Sequence, residues 1–348
     1  MSDVADVVQD FDAQRPRTIS ASRRGDSCAE EGLGFAYRSS KVKTGSGRCC
    51  LTRGLMMADS VAIVGAGAVG TMLAGYLAEA GHPVTICGRT RLDSVSITDD
   101  QGARSYPVNW AEAPADLPPF RWLVLATKLQ HTAATVHWLK ALAEPGSVLL
   151  AAQNGVDHRD RLGPLTEAEV VPTLVYLNVE RTGPGRVHAR ATGRGLVMPA
   201  DEVGQAAAAL FTGAAVPVEN QSDFVTVAWA KLLINVTANP LTALTGRRVE
   251  VLHEPGIADL AREMLRETVA VARAEGAALT EEDADATLDW LRSLPPTAPT
   301  SMLQDRQAGR TLEHDGLIGP VVRLGARHGI ATPTGRTLLA LLDALAPK

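Results

Sequence analysis

The sequence predicts an α/β protein: a parallel sheet with helices on its faces through about residue 220, then an all-helical remainder to residue 348. Three observations carry that expectation. The apolar run Val61-Ala62-Ile63-Val64 breaks into the glycine-rich turn Gly65-Ala66-Gly67-Ala68-Val69-Gly70. Short β-type runs then alternate with helical stretches as far as Val218, and beyond residue 220 the apolar period is helical throughout. With 45% hydrophobic and 21% charged residues, the chain is ample for packed cores in two or three domains. A net charge of -5 offers no basic footprint for nucleic acid. The most apolar stretch, Phe224 to Leu244, carries Lys231, Asn235, Asn239 and Pro240, which argues against a membrane span and for a soluble, cytoplasmic protein.

Residues 1–55 read as a disordered leader: an acidic start followed by a stretch rich in Arg, Ser and Gly, with no sustained helix or strand period. It has neither the apolar stretch of a secretory signal nor the acid-poor start of a transit peptide. A competing reading sets the native start at Met56 or Met57, directly before the first strand. Three of the four cysteines, Cys28, Cys49 and Cys50, fall in this leader, so a disulfide framework for the folded body is excluded and a reducing cytosol fits.

The expected nucleotide-binding domain spans residues 56–220. Its turn is set in context: a buried-type strand precedes it, and the amphipathic helix Val69 to Ala80, closed by Gly81, follows. The strand Pro83 to Cys87 then comes at βαβ spacing. Gly65 permits the tight turn, Gly67 lets a pyrophosphate approach the backbone, and Gly70 allows close helix–strand packing, as in a Rossmann-type dinucleotide site. Where an NAD site places an acid about 20 residues on, strand two ends in Gly88-Arg89-Thr90-Arg91. A guanidinium at Arg89 would clamp a 2′-phosphate, which favours NADP (NADPH); the competing reading is a solvated loop arginine.

The pattern continues with the strand Trp122 to Thr127, a helix across about 130–143, and the strand Ser147 to Ala152. Ligands bind beyond the carboxyl ends of such strands, which makes Lys128 and Asn154 cofactor or substrate candidates; the competing readings are a strand-end charge and a turn asparagine. Runs at 170–176, 186–188, 196–198 and 216–218 are expected to finish the sheet, with a helix before the last.

The expected helical domain spans residues 221–348. Lys231, Asn235 and Asn239 lie at i, i+4 and i+8, one polar stripe drifting about 40° per step, and Pro240 is expected to end or kink the helix just after it. A lone lysine in so apolar a segment suits a tunable proton donor or a fixed cation, because desolvation lowers an ammonium's pKa; the competing reading is a snorkelling lysine with two ordinary polar neighbours. No HExxH or similar spacing relates the histidines, so no metal is expected.

With the Ser301-Met302-Leu303-Gln304-Asp305 run, Glu313 and the His328-Gly329-Ile330…Pro333 ending added to the glycine turn and to Lys231 with its asparagines and Pro240, the chain resembles the ketopantoate reductase family over about residues 60–345. That resemblance implies a helical domain similar to those of 6-phosphogluconate dehydrogenase relatives and NADPH in the cleft between the domains; a homodimer is one assembly open to the chain, whose oligomeric state the sequence does not give. It implies reduction of 2-dehydropantoate on the way to pantothenate and coenzyme A, with Lys231 as general acid. Asn235, Asn239 and Ser301 would hold the substrate's carboxylate and hydroxyl, and Glu313 would lie by cofactor and substrate. Asn154 matches the family's asparagine after the last core strand, and Lys128 the residue after the fourth. A further substrate asparagine is absent between Pro240 and Leu260, and an Asn-Gly pair reads Ile318-Gly319. Two rival readings therefore stand beside it: a reductase of another 2-oxo acid, and a non-catalytic NADP-binding sensor. Chemically, a desolvated lysine both stabilises the oxygen that gains charge during hydride attack and protonates it. Glu313 would either pair with that lysine, raising its pKa against desolvation, or orient a hydroxyl; the competing reading is a surface helix carboxylate.

Overall fold

The computed structural model describes residues 60–190 and 193–345; the leader expected over residues 1–55 lies outside them. The chain opens with β1 (Val61–Val64), α1 (Ala68–Glu79) and β2 (Val84–Cys87), all as the periodicity predicts, Gly81 following α1 at a positive φ of 93°. A hairpin, β3 (Ser94–Asp99) and β4 (Gly102–Pro107), and a short β5 (Asn109–Ala111) come next. Then follow β6 (Trp122–Leu125), α2 (Val136–Leu142), β7 (Val148–Ala151), α3 (His158–Leu162), β8 (Glu169–Pro172), β9 (Leu174–Val175), β10 (Asn178–Gly183), β11 (Arg186–Arg190), β12 (Leu196–Pro199), α4 (Glu202–Ala209) and β13 (Val218–Gln221).

Six strands form one sheet in the order β5-β2-β1-β6-β7-β8, every pair parallel, with β1 in register with both β2 and β6. Their fully buried apolar runs are what a sheet covered on both faces requires. α1 covers one face through Met72, Leu73, Tyr76 and Leu77, and α2 the other through Trp138, Leu139 and Leu142. The segment expected as one helix over 130–143 begins instead as two 3-10 turns, with regular helix only from Val136.

The later β runs do not finish this sheet, except for β8. Pro172 closes β8 at the sheet's edge, where a missing N–H costs nothing, and the chain then leaves. β10 and β11 join the β3–β4 hairpin in a second sheet, β10-β11-β3-β4, over the outer side of α1. There the Ile97 side chain lies so close to Gly75 that a Cβ would sit 2.3 Å from it. β9, β12 and β13 make a third, small sheet in the order β13-β12-β9.

The remainder is helical: α5 (Phe224–Thr245), α6 (Pro255–Ala274), α7 (Glu281–Ser293), α8 (Ser301–Gln307), α9 (His314–Arg327) and α10 (Pro333–Leu345). Side-chain caps at Asp223, Thr280 and Thr300 start three of them. α5 is long and apolar enough to cross a membrane by length and composition, but most of it is buried as the core of this half, around Leu233, Val236 and Leu241. Pro240 does not end it. The helix continues to Thr245 because Pro240, Leu241, Thr242 and Ala243 are buried, and packing outweighs the ~3 kcal/mol a mid-helix proline costs. Its end is set by Gly246, left-handed at φ 72°, whose N–H donates to the Thr242 carbonyl.

Candidate active site

The cleft lies at the carboxyl ends of β1, β6 and β7, facing α5. At β1 the chain turns sharply through Gly65, at φ 111°, where any Cβ would sit 2.7 Å from the Thr127 side chain. A Cβ on Gly70 would lie 1.8 Å from the Gly65 carbonyl oxygen, so this glycine is what lets α1 press against the turn. Gly67, the N-cap of α1, differs: it is exposed, and a Cβ there would meet only the Ala126 oxygen at 3.9 Å. No side chain caps the helix and its first turn carries no acid, so the amides of Ala68, Val69 and Gly70 remain suited to an anion.

Asn154, Lys231 and Asn235 meet on a small cleft whose other walls are Gly155, Leu174, Ala228 and Leu232. Lys231 Nζ donates to the Val175 carbonyl at 2.8 Å and lies 5.2 Å from the centre of the Tyr176 ring. Burial pushes its ammonium down from 10.5 to about 8, and the Glu313 carboxylate opposes that fall. Glu313 itself sits at the N-cap of α9, accepting from the Leu129 amide at 3.1 Å and from Asn154 Nδ2 at 3.3 Å.

The rest of the stripe is placed less directly on the cleft. Asn239 is buried, donates to Asn235 Oδ1 at 3.2 Å, and accepts from Ser301 Oγ and the Met302 amide at 3.2 and 3.3 Å. It thus ties α5 to the first turn of α8 and brings Ser301 into the same hydrogen-bonded row. Lys128 is held by the Asp305 carboxylate, which also accepts from Arg310 at 2.8 Å. Arg89 stands exposed past β2 without a polar partner among the described residues, whereas Arg91 pairs with Asp93 at 3.0 Å and leans on Trp110.

Sequence reasoning missed the supports. Gln153 is buried; its side chain donates to the Thr127 carbonyl at 2.8 Å and to Thr132 at 3.0 Å and accepts from Arg161 at 2.9 Å, pinning the loops that carry Lys128 and Asn154. His158, driven by burial down to about 4 and so neutral at pH 7, presents Nε2 to the Gln153 carbonyl at 2.8 Å, which requires the proton on that nitrogen. Tyr176, beside Lys231, lay in a run read only as strand. Among the described residues, no cluster of three His, Cys, Asp or Glu has metal-site geometry.

Comparison with known proteins places the chain in context. Residues 61–201 match the family model described as ketopantoate reductase PanE/ApbA, and residues 223–346 that of its C-terminal region. The 2-dehydropantoate 2-reductase of Caulobacter vibrioides is 38% identical over 289 residues, covering 82% of this chain and 99% of that one. Among solved structures, a PanE/ApbA family ketopantoate reductase from Ralstonia eutropha JMP134 superposes with a TM-score of 0.74 at 33% identity, covering 82% of this chain and 98% of its own. A dimeric ketopantoate reductase from Staphylococcus aureus does so with a TM-score of 0.72 at 27% identity, again over 82% and 98%.

Proposed function

Since the chain belongs to the ketopantoate reductase family, we propose that it reduces the ketone of 2-dehydropantoate to pantoate with NADPH, Lys231 giving the proton. One observation carries this beyond family membership: an ammonium brought to about 8 by burial stands on a cleft shared with Asn154 and Asn235. A sensor would need only the nucleotide half, so this constellation favours an enzyme.

The residues at the glycine turn fit a dinucleotide. The side open at Gly67 is where a pyrophosphate would rest against the uncapped amides of α1, and Arg89 is free to meet a 2′-phosphate. Bound there, the dihydronicotinamide supplies a hydride to the ketone carbon. Lys231 stabilises the charge growing on the ketone oxygen and then protonates it. Asn154 and Asn235 orient the substrate's polar groups, Asn239 and Ser301 extend that row toward its carboxylate and hydroxyl, and Glu313 sustains the lysine's charge while fixing Asn154. Lys128 closes the cofactor side through Asp305. The nucleotide domain corresponds to residues 56–220 and the substrate domain to 221–348. A homodimer is supported by the dimeric Staphylococcus aureus relative.

The test is NADPH oxidation against a panel of 2-oxo acids, with wild type and Lys231→Ala. The expected result is preferred turnover of 2-dehydropantoate, kcat falling as pH rises past about 8, and a loss of about 10²–10⁴ in kcat for the variant with NADPH affinity little changed. Faster turnover of a different branched 2-oxo acid would reassign the substrate; near-normal kcat in Lys231→Ala would remove the general-acid role.

A further inference from the structure

The small third sheet has no part in the roles derived so far, yet it delivers two groups to Lys231. β9 pairs antiparallel with β12 through Leu174↔Val197 and Val175↔Leu196, and the Tyr176 amide donates to the Gly195 carbonyl at 2.9 Å. Leu174 and Tyr176 are buried against Val197 and against Val227 and Ala228 of α5, so the sheet packs on the helix that carries the lysine. At that contact Val175 turns its carbonyl oxygen, and Tyr176 its ring, to the ammonium, at 2.8 Å and at 5.2 Å from the ring centre. The ring is itself fixed. Arg194 lies 5.5 Å from its centre and makes two hydrogen bonds, at 3.1 and 2.8 Å, to Glu219 of β13.

We infer that Tyr176 is a positioning residue for the reduction: its ring face and the Val175 carbonyl form a seat that holds the Lys231 ammonium charged and aimed across the cleft. An aromatic face within about 6 Å of a cation attracts it through the ring quadrupole, most strongly where water is excluded. Glu219 pairs with Arg194 at 2.8 Å and offsets its charge there, while the lysine's charge is offset only from across the cleft, by Glu313. One ammonium hydrogen goes to Val175 and the ring takes the second direction, so the remaining one is free for a substrate oxygen beside Asn154 and Asn235.

The seat acts on the charge as well as the geometry, and the other groups facing Lys231 leave that effect readable. Glu313 reaches it from the start of α9 and favours the ammonium, while His158 of α3 is driven down to about 4 and opposes it little above that. Asn154 and Asn235 are neutral. Burial raises the Tyr176 phenol above its ordinary 10, so neither it nor His158 titrates near 8.

The inference rests on Lys231 being the proton donor, and the experiment separates the two. The pH profile of kcat, with NADPH affinity and thermal melting alongside, is measured for wild type, Lys231→Ala, Tyr176→Phe and Tyr176→Leu. Tyr176→Leu should move the alkaline limb about 0.4–1.5 pH units toward acid, the span of a buried cation–aromatic contact, with NADPH affinity kept. Tyr176→Phe should leave the limb in place. If the leucine variant does not fold, phenylalanines of increasing fluorination at 176, which drain the ring face without changing its size, should lower the limb stepwise. A limb present in wild type and abolished in Lys231→Ala, but unmoved by Leu or by fluorination, overturns the seat alone. A wild-type profile with no alkaline limb, or one that survives in Lys231→Ala, overturns the proton-donor reading and the seat with it.

Discussion

Arg89 and Arg91 are two residues apart and chemically alike, but among the described residues only one is engaged: Arg91 holds Asp93 and lies 5.9 Å from the centre of the Trp110 ring, while Arg89 is exposed past the end of β2. If Arg89 grips the 2′-phosphate, Arg89→Ala should lose roughly 1.5–3 kcal/mol of NADPH binding, the scale of a charge-assisted hydrogen bond, and much less of NADH binding. Paired titrations with both cofactors check this, and equal losses would move the phosphate site elsewhere. At this scale, what the sequence shows is a residue out of keeping with its neighbours. Lys231 was visible as the one charge in an apolar helix, and its low pKa followed from burial. Tyr176 was not, and Asp305 was visible only as the end of the Ser301–Asp305 run and not in its role, because each matters through a partner far along the chain: Lys231 is 55 residues from Tyr176, and Lys128 is 177 from Asp305. No local pattern encodes such pairs.

Among the elements, continuous apolar runs were legible, whereas the β3–β4 hairpin, in which only Val95 and Ile97 are fully buried, was not. β1, β2, β6 and β7 are continuous buried runs, and the amphipathic α9 ends before Gly329 as its pattern indicates. β4 was missed because its inward residues are Arg104, which binds Asp99 and Glu79, and Tyr106, which donates to Glu79 at 2.8 Å. The glycine turn allows a sharper test, since two of its glycines serve different ends. Gly70→Ala forces a methyl into the Gly65 carbonyl and should cost about 1–3 kcal/mol of stability, as overpacking does. Gly67→Ala meets open space in an extended conformation and should cost less than about 1 kcal/mol as an N-cap change, while weakening NADPH binding by occupying the phosphate's approach. Melting curves with and without NADPH distinguish them. A Gly67→Ala protein that still gains its full stabilisation from NADPH would show that the pyrophosphate lies elsewhere.

Across the whole molecule, the two halves are joined on the cleft side by contacts from the loop after β6 and the α3 region of one to α8, α9 and the segment between them of the other. Lys128 meets Asp305, Gln130 donates to the Thr311 carbonyl at 2.9 Å, and Arg323 and Arg327 reach Asp157 and Asp160 at 3.3 and 3.1 Å. Glu313 is the member of this set that also bears on the chemistry, bonding Leu129 and Asn154 while its charge supports the Lys231 ammonium. Its two duties separate by substitution. Glu313→Gln keeps an oxygen for the Leu129 amide but removes the charge, so the Lys231 pKa should fall further below about 8. Because the acid must be protonated to work, the alkaline limb of kcat should then move to lower pH while the KM for NADPH stays close to wild type. Glu313→Ala removes the bridge as well and should cost roughly 1–3 kcal/mol of stability and raise the KM for both substrates, since the Asn154 and Leu129 groups lose their acceptor and the cleft its closure. If the two variants prove kinetically alike, with the limb unmoved in both, Glu313 is only a strut between the halves and the lysine owes its charge to other groups.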